Sequence, residues 1–245
     1  MNAPISRDPF YFISFSIMAV LCLGGFVPTF FLRSQFFDDP LPVWMHIHGL
    51  LLSLWFLIAI AQSWLILNDK PAWHRQLGMA AAAVALSAFI LTYVAVAYLQ
   101  ATGGHITGGT RFNIILTSAF TCCVACGIYY RYKPQVHRRL MLMATVVITI
   151  PGFDRLIRHT FQSSFPSLTT QRAQMIVLGF IVIFTGIMIY RDILENRRPA
   201  LGTMLSFVCF IVGGTLGGLF VGTDLWISMV DSFVSSPVAG TELAH

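Results

Sequence analysis

Seven stretches of the chain are almost uninterruptedly apolar, at about residues 10–32, 43–67, 76–99, 111–130, 140–161, 173–190 and 203–227, and polar residues collect in the short segments between them. A helix rises about 1.5 Å per residue, so about 20 such residues cross a hydrocarbon core of about 30 Å. The pattern predicts an all-α integral membrane protein with seven transmembrane helices, forming a single transmembrane domain over 1–245. The first run is too long for a signal-peptide core and has no evident small-residue cleavage site after it, so it is expected to be retained as a helix.

Polar residues inside the runs are costly in lipid and therefore informative. In the second run His48, Trp55 and Gln62 recur every seven residues, which keeps them on one helical stripe. His46 lies 200° from His48 on an ideal helix, so one helix cannot aim both at a single ion. In the fifth run, fourteen apolar residues from Leu140 to Phe153 cover about 21 Å. Asp154, Arg155, Arg158 and His159 therefore begin about 9 Å short of the far hydrocarbon edge. Asp154 and Arg158 stand i, i+4 and are expected to pair. Pro151 and Gly152 just before them are candidates for a kink that frees backbone carbonyls. The glycine and alanine runs GMAAAAVALSA (78–88) and GGTLGG (213–218) predict close helix contacts rather than chemistry. His105, in the loop after the third run, stands on the same outer side.

One motif occurs twice. KPAWHRQL at 70–77 and KPQVHRRL at 133–140 share K-P-x-x-H-R-x-L, 63 residues apart and two runs apart, hence on the same side of the membrane. The simplest origin is a parallel repeat of a two-helix unit, helices two and three followed by four and five, with a pseudo-twofold axis along the membrane normal. His74 and His137 then sit at equivalent depths. Two functions compete for them: anchoring the helix entrance at the headgroups, and convergence on one haem or metal between facing helices.

Composition and charge narrow the choice. With 56% apolar and 10% charged residues and a mean hydropathy of +0.75, the chain is far from a water-soluble domain. The net charge of +5 is scattered through short loops without a basic block, which argues for the lipid bilayer and against nucleic acid as partner. With the N-terminus cytoplasmic, Arg7, Lys70, Arg75, Arg131, Lys133, Arg138, Arg139, Arg191, Arg197 and Arg198 lie inside. Arg33, Arg111, Arg155, Arg158 and Arg172 lie outside. That asymmetry predicts N-terminus in and C-terminus out in a bacterial inner membrane. All five cysteines fall inside apolar runs, where packing is the first expectation; the CCVAC run (122–126) contains a C-x-x-C.

The combination H-x-H-G, W, Q, H-R-x-L-G, H-R-R-L-M and a downstream arginine resembles a broad group of uncharacterised bacterial multi-pass membrane proteins. It is carried here by His46, His48, Gly49, Trp55, Gln62, His74, Arg75, Leu77, Gly78, His137, Arg138, Arg139, Leu140, Met141 and Arg155. A more distant likeness is to haem-carrying four-helix cores of the cytochrome b561 type, which implies histidine pairs on facing helices; helix four here has no histidine. A retinal site is excluded because both lysines, Lys70 and Lys133, lie in loops. No P-loop, nucleophile elbow or H-E-x-x-H is present.

The function expected is binding of haem b or a transition metal, in electron transfer or in assembly of a respiratory complex with other membrane subunits. The outer candidate ligands are His48 and His159, supported by Trp55, Gln62 and Arg155; His46, His48 and His159 form the outer metal set. The inner candidates are His74 and His137. The alternatives are a small transporter or lipid-handling protein using Pro151, Gly152, Arg155 and His159, and a non-catalytic subunit whose polar residues fix helix register.

Overall fold

A computed structural model describes residues 8–38, 40–101, 108–161 and 170–234. Its long helices are α1 (Phe10–Phe26), α3 (Val43–Leu67), α4 (Pro71–Ala101), α5 (Gly108–Tyr129), α6 (Pro134–Phe161), α7 (Thr170–Asn196) and α8 (Leu201–Phe220). A π-helical turn at Val27–Phe31 prolongs α1, α2 (Arg33–Phe36) is a single turn, and α9 (Asp224–Val234) is a short final helix. No strand occurs among the described residues. Six helices are long and apolar enough to cross a bilayer: Phe10–Phe31, Val43–Leu67, Pro71–Gln100, Gly109–Tyr129, Pro134–Thr160 and Leu201–Phe220. The sixth apolar run forms α7, which lies against α6.

Two expected boundaries move for one reason. The third and fifth spans begin at Pro71 and Pro134, not at 76 and 140, because proline, lacking an N–H and fixed near the helical φ, occupies the first helical position. The repeated motif therefore lies inside its helices. The last expected run is broken at 221–223, where α8 ends and Thr223 caps α9 by accepting the Trp226 N–H at 3.2 Å, with Asp224 in the favoured first-turn position.

α6 is the central helix. Its Leu140, Met143, Val147 and Ile150 are fully buried, and it packs against α1, α5, α7 and α8. α5 also packs on α8, and the α3–α4 hairpin leans on α1 and α5. Small residues set the closest approaches. A Cβ on Gly152 would collide with Cys22 of α1, and a Cβ on Gly213 would collide with Cys122 of α5. Outward-facing apolar side chains such as Val20, Met79, Leu86, Ile183 and Leu216 are exposed along the bundle, the surface expected against acyl chains. At the far end α9 folds back on α4: Trp226 is buried against Tyr93 and Phe220, and its indole N–H donates to Gln100 Oε1 at 2.6 Å.

Candidate functional site

The two copies of K-P-x-x-H-R-x-L fold alike. Lys70 and Lys133 accept the first helical hydrogen bond, from the N–H of His74 at 3.1 Å and of His137 at 3.0 Å. Each lysine ammonium lies over an aromatic ring, Lys70 over Trp64 of α3 at 5.2 Å and Lys133 over Tyr130, the residue after α5, at 5.5 Å. Each histidine, four residues after its lysine, then turns back onto the end of that helix. His74 Nδ1 donates to the Gln62 carbonyl at 3.3 Å, and His137 Nδ1 donates to the Gly127 carbonyl at 2.8 Å. A carbonyl only accepts, so Nδ1 carries the proton in both rings and Nε2 keeps its lone pair in the neutral form.

The two imidazoles meet. Their ring centroids are 6.2 Å apart with planes at 85°. Both side chains are half-buried rather than turned out to headgroups. The Gln62 side chain belongs to this end too: its Oε1 is buried without a hydrogen-bond partner among the described residues, and its amide nitrogen lies near Gly78 of α4. Fourteen helical residues, about 21 Å, separate Gln62 from His48, so the seven-residue stripe runs the length of α3 and does not build one site. Trp55, between them, is buried; its indole N–H donates to Thr145 Oγ1 at 3.3 Å and its ring stacks edge-on against Phe120 at 4.8 Å. Long side chains thus bridge the α3–α4 hairpin to α6.

The outer candidates are not brought together. His46 is exposed, with Nδ1 3.2 Å from the Pro42 carbonyl of its own helix and its ring 5.9 Å from Phe30. His48 points to the other side, and its Nδ1 is buried without a hydrogen-bond partner among the described residues. His159 is exposed at the end of α6. Among the described residues no hydrogen bond, ion pair or ring contact joins His48 to His159, and His46, His48 and His159 form no three-ligand group. Arg155 folds back on its own helix, donating to the Pro151 carbonyl at 3.1 Å, and stacks on Phe26 at 4.6 Å. The expected Asp154–Arg158 pair forms at 2.9 Å. His105 lies outside the described residues.

One polar cluster has no counterpart in the sequence analysis. Arg139, in the second motif copy, is buried and paired with buried Asp192 of α7; its Nε donates to Asp192 Oδ1 at 2.7 Å. Asp192 Oδ2 accepts from the Thr203 hydroxyl and from the Ala200 N–H at 2.9 Å, and Arg139 also donates to the Gln135 carbonyl at 2.8 Å. The pair thereby ties α6, α7 and the start of α8 together. Asp192 follows the apolar run that ends at Tyr190. Burial pushes its carboxyl up, but the hydrogen bonds from Thr203, Arg139 and Ala200 outweigh this and hold it below the usual carboxylate range. The signal in the sequence was a carboxylate just past one apolar run, facing an arginine at the start of another.

An apolar groove of about 930 Å³ opens between α4, α5, α8 and α9, lined by Phe89, Tyr93, Cys122, Leu216, Phe220 and Trp226 among others. Comparison with known proteins gives no match to this chain, whether among protein families, curated proteins or solved structures.

Proposed function

We propose that this chain is a seven-span bacterial inner-membrane protein that holds haem b or a transition-metal ion between His74 and His137, and serves in electron transfer or in assembly of a respiratory complex. The observation that carries the proposal is the facing pair of imidazoles, each fixed through Nδ1 by a backbone carbonyl. His74 and His137, with ring centroids 6.2 Å apart, would hold the group through the Nε2 lone pair that each keeps. The carbonyls of Gln62 and Gly127 select the tautomer and orient the rings, the role that outer hydrogen bonds play at histidine metal sites. Arg75, next to His74 in sequence, is a cation for a carboxylate at the membrane face, whereas Arg138, next to His137, pairs with Glu195 at 3.5 Å and lies over the Tyr11 ring.

A bound haem would supply one-electron chemistry, and two histidine ligands would leave no open position on its iron, which favours electron transfer over substrate turnover. The parallel construction of the two turns supports the two-helix repeat. With α7 taken as a seventh span, both turns lie on the side with the excess of arginine and lysine, which the charge asymmetry assigns to the cytoplasm. The likeness to cytochrome b561-type cores points the same way. The outer set is left out of the proposed site, because among the described residues no hydrogen bond, ion pair or ring contact joins His48 to His159.

Lipid handling is the second reading, favoured by the apolar groove between α4, α5, α8 and α9. A transport pathway through the Pro151–Gly152 break has less support, since Gly152 serves the contact with α1 and Arg155 is folded back on Pro151. The deciding experiment is the absorption spectrum and metal content of the detergent-purified chain. A Soret band or a stoichiometric metal that disappears in His74→Ala and in His137→Ala is expected. A metal-free protein without visible absorbance would overturn the proposal and leave lipid handling as the better reading.

A further inference from the structure

Four of the five cysteines lie where α5 meets α8, and three of them converge. The thiols of Cys122, Cys126 and Cys209 all lie within 4.8 Å of one another. Cys122 and Cys126 are one turn apart on one face of α5. Cys209 of α8 is brought against them by Gly213, one turn further along, where a side chain would collide with Cys122. Cys123, the other half of the C-x-x-C, adjoins the Cys209 thiol but stands outside the mutual trio, and donates to the Ser206 carbonyl at 3.8 Å. The spacing that matters is therefore C-x-x-x-C plus a cysteine 83 residues on.

We propose that Cys122, Cys126 and Cys209 form a binding site for a single cuprous ion, separate from the histidine pair. Three sulfurs about 2.3 Å from one metal in a trigonal arrangement stand about 4 Å apart, so the trio needs less than 1 Å of contraction, within reach of side-chain rotation. The donor set decides the ion. All three ligands are soft sulfur, and among the described residues no fourth cysteine, histidine, aspartate or glutamate joins their mutual group to complete the four-ligand shell that zinc prefers. Charge agrees with this choice. Cu(I) binding with loss of one thiol proton leaves one thiolate, two thiols and a monovalent cation, a neutral complex that apolar surroundings tolerate. A divalent ion would need two thiolates for the same balance. Access exists, because Cys122 lines the apolar groove that opens between α4, α5, α8 and α9.

The test is an anaerobic titration of the purified, reduced full chain with Cu(I) buffered by bicinchoninate. One Cu(I) per chain is expected, with release of one proton. Cys122→Ser, Cys126→Ser and Cys209→Ser are each expected to weaken binding at least tenfold, about 1.4 kcal/mol, while Cys22→Ser leaves it unchanged. On the unsubstituted chain, so that folding of variants is not at issue, bound Cu(I) should shield Cys122 and Cys126 from N-ethylmaleimide as read by mass spectrometry. No copper held against the chelator, no shielding, or copper lost on His74→Ala but kept when the three cysteines are replaced would each overturn the proposal. The result is independent of the histidine-pair reading, whose Soret band or metal is lost in His74→Ala and His137→Ala and kept when the three cysteines are replaced.

Discussion

His74 and His137 share with His48 and His159 a place near a helix end, yet among the described residues a ring contact joins only the first two. The difference lies in the turn before them. Lys70-Pro71 and Lys133-Pro134 start their helices at fixed points, so that a histidine four residues after the lysine folds back on the carbonyls ending the previous helix. His48 and His159 have no such turn. One is in the second turn of α3, its Nδ1 without a hydrogen-bond partner among the described residues, the other exposed at the last turn of α6. The lesson is that the proline-led turn, rather than the histidine, specifies a meeting point.

The largest expected effect is on that contrast itself. His74→Ala and His137→Ala should each abolish bound-cofactor absorbance in the purified protein, while His48→Ala and His159→Ala should leave it intact. An equal loss in His48→Ala would erase the distinction between the two ends. Next comes the buried ion pair beside the inner site. Arg139→Met leaves the Asp192 carboxylate buried without its cation and should cost about 3–5 kcal/mol in detergent unfolding, with Arg139→Met/Asp192→Leu recovering much of the loss. Because Asp192 titrates below its unfolded value of about 3.9, the pair's contribution is fully present above that pH and is lost as pH falls through the lower, folded value. In an acid titration, the stability difference between the unsubstituted chain and the double variant should change with pH only in that acidic window.

Gly152→Val tests the opposite half. It pushes a side chain into Cys22 where α1 crosses α6, and should cost about 1–3 kcal/mol by overpacking without shifting any cofactor spectrum. The smallest effect is expected from Trp55→Phe, which removes the hydrogen bond to Thr145, about 0.5–1.5 kcal/mol, and leaves Thr145 bonded to the Met141 carbonyl. Thermal unfolding with intrinsic fluorescence or a thiol-reactive dye would rank these two.

The long helices were legible because an apolar run of membrane length admits few alternatives to a helix. Their starts were not, since residues 71–75 and 134–139 are polar and read as loop although proline at the first position extends the helix through them. The equivalence of His74 and His137 was visible as a repeated string, whereas their separation depends on how two hairpins lean together. Asp192 escaped notice because its partner Arg139 is 53 residues away and reads as one more basic residue at a membrane face. The cysteine trio escaped for the same reason: C-x-x-C is conspicuous in sequence, but helical geometry unites Cys122 with Cys126 and a different helix provides the third thiol.

The clasp between Trp226 and Gln100 bears on the far side of the membrane as well as the near one. From His74 to Gln100 α4 is a rod about 39 Å long, gripped at one end by the Gln62 carbonyl and the His137 ring and at the other by α9. A shaft held at both ends resists rotation about its own axis, so torque applied to α9 by a neighbouring protein or by lipid would reach the opposite face as a twist of the His74 imidazole. The short last helix is in that sense a handle on the angle between two rings.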